Sequence, residues 1–257
     1  CRHGSFQHEG TLGSDDYINK PFRYGSTITV NVSHTRSSTM EVRPQPQSGH
    51  ASGTGVLWIY GDSVNRLFYE ALQTQPLCTQ VFRACYYTPV WVYVIKNQPH
   101  QEMDLRYGGS DLNVTHVVGE LSEVIRKPIM DEHSALLLNT GIHLLKSTTF
   151  RNYQTIIKGM IRTLKHDYRG KVVWKTTTAL GEQTHLYSGC ARRFHTEQRI
   201  KLFNAYATKK MCTAGFAVLD VYPLSNAYPE GTFDGVHYHA RVFYPAEKAL
   251  ENYFRYP

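Results

Sequence analysis

The chain has 257 residues, 41% hydrophobic and 19% charged, with a formal net charge of +7 and a pI near 9.1. That length fits one α/β domain or two small ones and supports a hydrophobic core without metal staples, and the composition excludes a disordered chain. No apolar run reaches the roughly 18 residues needed to span a bilayer, and no finger, RRM or basic-zipper signature accompanies the basic clusters at 165–171, 191–195 and 208–210, so these read as solvated faces rather than a nucleic-acid footprint.

Residues 1–54 are polar and rich in Gly, Ser, Pro and His. They open on Cys1 rather than Met, which reads as a trimmed or processed segment, and they predict an N-terminal extension packed on a main domain over 55–257. One stretch, "STITVNVS", alternates Ile28, Val30 and Val32 with polar residues, the pattern of a half-buried strand. From Val56 the elements alternate. A strand is predicted over 56–60, a helix over 64–73 with Leu67, Phe68, Ala71 and Leu72 on one face, a second strand over 90–95, and a helix over 116–128 stopped by Pro128. A third strand over 134–139, a long helix over 151–168, a fourth strand over 171–179, a helix over 196–211, a fifth strand over 216–224 and a last helix over 245–254 complete the order. Strand and helix in strict alternation predict an α/β fold, a parallel sheet covered on both faces.

The five cysteines form no C-x-x-C pair, and the 13 histidines include no H-E-x-x-H, so neither zinc nor dithiol chemistry has its usual spacing and no metal or cofactor is expected. Cys78 and Cys85 flank a short segment after the first helix, and closing so small a loop costs little entropy, which predicts a bridge between them. Sequons at Asn31 and Asn113 agree with an oxidising, secretory setting.

Ligands of such sheets bind at the carboxyl ends of the strands. Three ends carry chemistry. The first strand stops at "GDS", placing Ser63 where the sheet edge meets a helix start; the third runs into "NTGIH", Asn139 to His143; after the fifth comes "FDGVH", with Asp234 and His237 three residues apart. A serine, an Asp/His pair and an amide are the parts needed for acyl transfer: His237 to take the Ser63 proton, Asp234 to orient the imidazole, and the Ser63 N–H, the Asn139 amide and a glycine N–H, Gly109 in preference to Gly108, to hold an oxyanion. Each has a plainer reading as well: Ser63 as a helix cap, Asp234–His237 as a loop ion pair, Asn139 as a turn residue.

"GDSVNR", "NTGIH" and "DGVH" resemble the blocks of the SGNH/GDSL hydrolase superfamily, and more closely its PC-esterase branch, which includes the trichome-birefringence-like proteins. The resemblance spans about residues 55–254, with one residue inserted in the Asn-Thr-Gly-His block. It implies a flavodoxin-like three-layer sandwich with a mainly parallel five-stranded sheet, a Ser63-His237-Asp234 triad, and ester chemistry on O-acyl groups, often acetyl groups of glycans. Arg66 and His143 fall at positions suited to contact the acyl or acceptor group, although Arg66 also suits a solvated helix face and His143 a helix cap. The implied partners are an acylated glycan, or an acyl donor with a sugar acceptor, in the secretory or Golgi lumen or outside the cell; water and sugar remain equal candidates for the acceptor. A catalytically inactive SGNH fold that binds glycan or protein is the alternative.

Overall fold

The run Val56–Tyr60 is buried from end to end and forms the middle of a parallel sheet. In a computed structural model of the chain, the described residues are 27–28, 53–89, 114–181 and 195–256. Six strands, β1 (Thr27–Ile28), β2 (Leu57–Gly61), β3 (Cys85–Pro89), β4 (Ala135–Leu138), β5 (Lys171–Lys175) and β6 (Ala217–Leu219), lie in the order β1-β6-β5-β4-β2-β3. Every neighbouring pair is parallel. The central strands are almost wholly apolar because both their faces are covered. β3 lies at the sheet edge, and its "CYYTP" is partly exposed.

The helices are α1 (Ser63–Leu72), α2 (Val114–Ile125), α3 (His143–Ser147), α4 (Phe150–Asp167), α5 (Glu197–Thr213), α6 (Tyr222–Asn226) and α7 (Tyr244–Arg255). The chain steps from β2 to β3 in one direction along the sheet, then from β3 through β4 and β5 to β6 in the other. Right-handed crossovers therefore put α1 on one face and α2, α4 and α5 on the opposite face. The contacts agree: α2 packs on α4 and α4 on α5, while α1 and α7 share a 3₁₀ turn at Ala240–Phe243. Buried Val64, Phe68 and Leu72 make the apolar stripe of α1; Ile156, Ile157, Met160 and Leu164 make that of α4. Among the described residues no helix is long and apolar enough to cross a membrane.

The α/β class and the parallel sheet are as expected; of the stretch expected as a strand around Ile28, Val30 and Val32, residues 27–28 pair with β6 and the rest lies outside the described residues. The strand expected over 90–95 lies outside the described residues, and the strand beside β2 is Cys85–Pro89. Three strands are shorter than predicted, β4 by one residue at each end and β5 and β6 by more. β5 stops at Lys175 because the Thr176 hydroxyl takes over the pairing: its Oγ1 donates to Asp220 Oδ1 at 2.8 Å and accepts from the Val221 and Tyr222 amides at 2.9 and 3.2 Å. β6 stops at Leu219, and α6 begins at Tyr222 with Pro223 in its first turn. The predicted Cys78–Cys85 disulfide is present, tying the π-turn Leu77–Val81 to the first residue of β3. Cys212 is disulfide-bonded as well.

Candidate active site at the carboxyl edge

The strand order reverses between β2 and β4, and open α/β sheets bind ligands at such a point. β2 ends there in a tight turn. Asp62 is extended and caps α1, its Oδ1 accepting from the Val64 amide at 3.0 Å, and Ser63 is the first helical residue. Gly61 lets helix and strand approach: a Cβ on it would lie 2.4 Å from Asn65 Nδ2, which donates to the Tyr60 carbonyl at 3.1 Å.

His237 comes to this turn from a loop after α6. Its Nε2 is 2.7 Å from Ser63 Oγ, and its Nδ1 is 2.6 Å from Asp234 Oδ2. With Nδ1–H donating to the carboxylate, Nε2 is left to accept from the serine hydroxyl. The other carboxylate oxygen of Asp234 accepts from the Val236 and His237 amides at 2.9 and 2.8 Å, so the Asp-x-x-His spacing closes a turn that carries both groups. Gly235 allows that turn its positive φ of 88°. Burial works to raise the Asp234 carboxyl, but the bonds from the His237 ring, then from the His237 and Val236 amides, outweigh it and hold it below the usual range. The three side chains named from the sequence thus form one hydrogen-bonded line able to move a proton from Ser63 to the imidazole.

Asn139 behaves otherwise. It stands at the end of β4 as expected, but it is fully buried, its Nδ2 donates to the Lys175 carbonyl at 2.7 Å and to Thr177 Oγ1 at 3.3 Å, and its Oδ1 accepts from the Gly141 amide at 2.5 Å. Its amide nitrogen is therefore engaged with the chain at the end of β5. In this structure the Asn139 side chain holds β4 to β5 and shapes the Gly141 turn, which is the plainer of its two readings. Gly109 and Gly108 lie outside the described residues. Arg66 is exposed on α1, one turn after Ser63, and pairs with Glu70 at 3.6 Å. His143 opens α3; burial lowers its pKa while the charge of nearby Asp62 works against the shift.

Beneath the turn lies a buried polar layer that sequence reasoning missed. Asp62 has no exposed surface, and its Oδ2 accepts from the Ile142 amide at 2.5 Å, joining the β2 turn to the loop after β4. Gly141, at φ 69°, is needed there, because a Cβ would sit 1.9 Å from that carboxylate. Lys175 is buried at the end of β5 with its Nζ donating to Asn65 Oδ1 at 2.9 Å and lying over the rings of Phe68 and Phe243. Burial pushes its ammonium down to about 8, opposed by the Asp62 charge. A lysine closing an apolar strand at the ligand edge is a signal the sequence did offer. On the open side, Phe233, just before Asp234, is about half exposed and stacks on the His237 ring with centroids 5.8 Å apart.

No family model matches the sequence, and no curated protein matches it. Solved structures do. A GDSL-like lipase from Bacteroides thetaiotaomicron superimposes with a TM-score of 0.51 at 13% identity, covering 83% of this chain and 92% of that one. The chain adopts the SGNH/GDSL hydrolase fold. The aryl esterase of M. smegmatis superimposes equally well, with a TM-score of 0.51 at 14% identity over 79% of this chain and 99% of that one. Within this fold the β2 turn carrying Ser63 and the loop carrying Asp234 and His237 face each other across the carboxyl edge.

Proposed function

We propose that the chain is a serine esterase or O-acyltransferase that acts on O-acyl groups, in first place O-acetyl groups of glycans. The observation that carries this reading is the continuous line from Ser63 Oγ to His237 Nε2 at 2.7 Å and from His237 Nδ1 to Asp234 Oδ2 at 2.6 Å. Ser63 Oγ attacks the acyl carbonyl carbon as His237 Nε2 takes the hydroxyl proton, giving a tetrahedral oxyanion. Collapse breaks the ester C–O bond, and the leaving alkoxide takes the proton from His237, leaving acyl-Ser63. A second hydroxyl, of water or of a sugar, gives its proton to His237 and attacks the acyl carbon, and Ser63 leaves with that proton restored. Asp234 stays ionised throughout and stabilises the imidazolium.

Three further observations support the finer reading. The exposed ring of Phe233 beside the nucleophile offers an apolar face of the kind a pyranose stacks on. The motifs resemble the PC-esterase branch. The Cys78–Cys85 bridge suits a secretory lumen. The fold neighbours' own names, a lipase and an aryl esterase, denote ester chemistry and agree with the coarser reading. The test is incubation with an aryl acetate and a fluorophosphonate probe. Turnover and labelling that both vanish in Ser63→Ala are expected. Labelling that survives Ser63→Ala would reject Ser63 as nucleophile, and inert wild-type protein that still binds O-acetylated glycan would favour the binding-module alternative.

A further inference from the structure

With the Asn139 amide engaged elsewhere, the described donor nearest to hand for an oxyanion is the Ser63 N–H. As the first residue of α1 its amide has no acceptor within the helix. That N–H belongs to the same peptide group as the Asp62 carbonyl, so whatever holds the Asp62 carbonyl also aims and polarises the Ser63 N–H.

Two groups hold it. The Arg66 amide donates to Asp62 O at 2.9 Å, as the first bond of the helix. The second is the phenol of Tyr87, whose hydroxyl lies 3.1 Å from Asp62 O and 3.2 Å from Gly61 O and is shared between them. Tyr87 is on β3, paired in register with Ile59, and its ring leans forward along the sheet to reach the β2 turn. The ring is itself fixed, stacked on Tyr69 of α1 with centroids 5.6 Å apart, while the Cys78–Cys85 bridge anchors the strand two residues earlier. Burial, then the Asp62 charge, raises the phenol pKa, so it remains a donor at any working pH.

Deepening the esterase reading and resting on it, we propose that Tyr87 is the positioning residue of the oxyanion hole: its hydroxyl, donating to the Gly61 and Asp62 carbonyls, fixes the plane of the Asp62–Ser63 peptide and strengthens the Ser63 N–H as a donor. A hydrogen bond to a carbonyl polarises the amide and improves the N–H on its far side. The gain counts most where that N–H meets full negative charge, in the tetrahedral intermediate, and least for a bound ester whose carbonyl accepts weakly.

The test is Tyr87→Phe, which deletes the hydroxyl and keeps the ring on Tyr69. With an aryl acetate, kcat is expected to fall about three- to tenfold, the range of one neutral hydrogen bond, with KM changed less than about twofold. Affinity for a boronic acid, whose boron becomes a tetrahedral anion on Ser63 Oγ, should weaken by the same factor, with the thermal midpoint within a few degrees of wild type. Tyr69→Leu removes the stacking partner and leaves the hydroxyl on a looser ring, and any loss it causes should be smaller than that of Tyr87→Phe and shared by kcat and boronate affinity. Wild-type kcat in Tyr87→Phe would overturn the proposal. So would a loss of kcat without loss of boronate affinity, since the hydroxyl would then not act on the oxyanion. Wild-type protein without Ser63-dependent turnover or labelling would instead overturn the esterase reading, and the role of Tyr87 with it.

Discussion

Asn139 gives its amide to the carbonyl of Lys175 at 2.7 Å, tying the ends of two neighbouring strands just below the nucleophile turn. A side chain so engaged is part of the frame. Asn139→Ala strands the buried Lys175 carbonyl and the Gly141 amide, at a cost of about 1–3 kcal/mol for each unsatisfied group. A clear drop in thermal midpoint is expected, with kcat of the folded protein within about threefold of wild type, under ~1 kcal/mol of transition-state free energy. Steady-state kinetics and a melting curve on one preparation check it. A loss of about 10²–10³ in kcat with an unchanged midpoint would restore the oxyanion role.

Asp234→Asn separates orientation from architecture. Asparagine Oδ1 still accepts the Val236 and His237 amides, so the turn survives. Its Nδ2, however, presents hydrogens to His237 Nδ1 and forces the proton onto Nε2, the nitrogen that must accept from Ser63. A fall in kcat on the order of 10⁴ is expected, with a circular dichroism spectrum and midpoint like wild type. Activity retained within tenfold would mean that the Asp–His contact is only a loop ion pair.

Phe233 reports on the substrate class. If a sugar ring packs on its exposed face, Phe233→Ala removes a contact of roughly 0.5–1.5 kcal/mol, a two- to tenfold rise in KM for an acetylated glycan. Phe233→Trp should restore it, and with a small aryl acetate the KM of Phe233→Ala should stay near wild type. Equal changes for both substrates would place the effect in the packing of His237 rather than in sugar binding.

Lys175 makes stability depend on pH in a defined direction. Its folded pKa, near 8, lies below its ordinary 10.5, so between those values the unfolded chain binds more protons than the folded one. Stability attributable to Lys175 therefore rises with pH across that window, and below about 8 the cost of the buried charge is borne in full. The full span corresponds to roughly 3 kcal/mol. Urea melts of wild type and Lys175→Met at pH 7, 8.5 and 10 measure it as a difference that cancels other titrating groups. A difference that stays flat, or that shrinks for wild type as pH rises, would contradict a lysine buried with a lowered pKa.

What the sequence revealed followed from periodicity and punctuation. β2 and α1, β4, α4 and α5 were legible because apolar runs of strand length and helical stripes are unambiguous when a cap such as Asp62, Thr149 or Thr196 sits between them. β3 was not, because "CYYTP" at a sheet edge is half polar and ends in proline, while the stronger run after it drew the reading. Ser63, His237 and Asp234 were legible as a set because fixed spacing at strand ends brings them to one crevice. Asn139 was placed at a strand end, but the partners of its amide were not legible, because its rotamer depends on acceptors at 175 and 177, 36 or more residues away. The Tyr87 contacts escaped for the same reason, since its hydroxyl reaches the turn of another strand, whereas Lys175 left a trace as a lysine closing an apolar strand.

The contact between Ser63 Oγ and His237 Nε2 spans 174 residues of chain. It exists only when the first central strand and the loop beyond the last strand are both in place, with every crossover between them closed. A nascent chain that has emerged through Ser63, or a partly refolded one with its early strands formed, carries the nucleophile without its base. Turnover is then a late and stringent clock for folding. After dilution from denaturant, esterase activity should return no sooner than the slowest spectroscopic signal, and fragments ending before Asp234 should be chemically silent however well their sheet assembles.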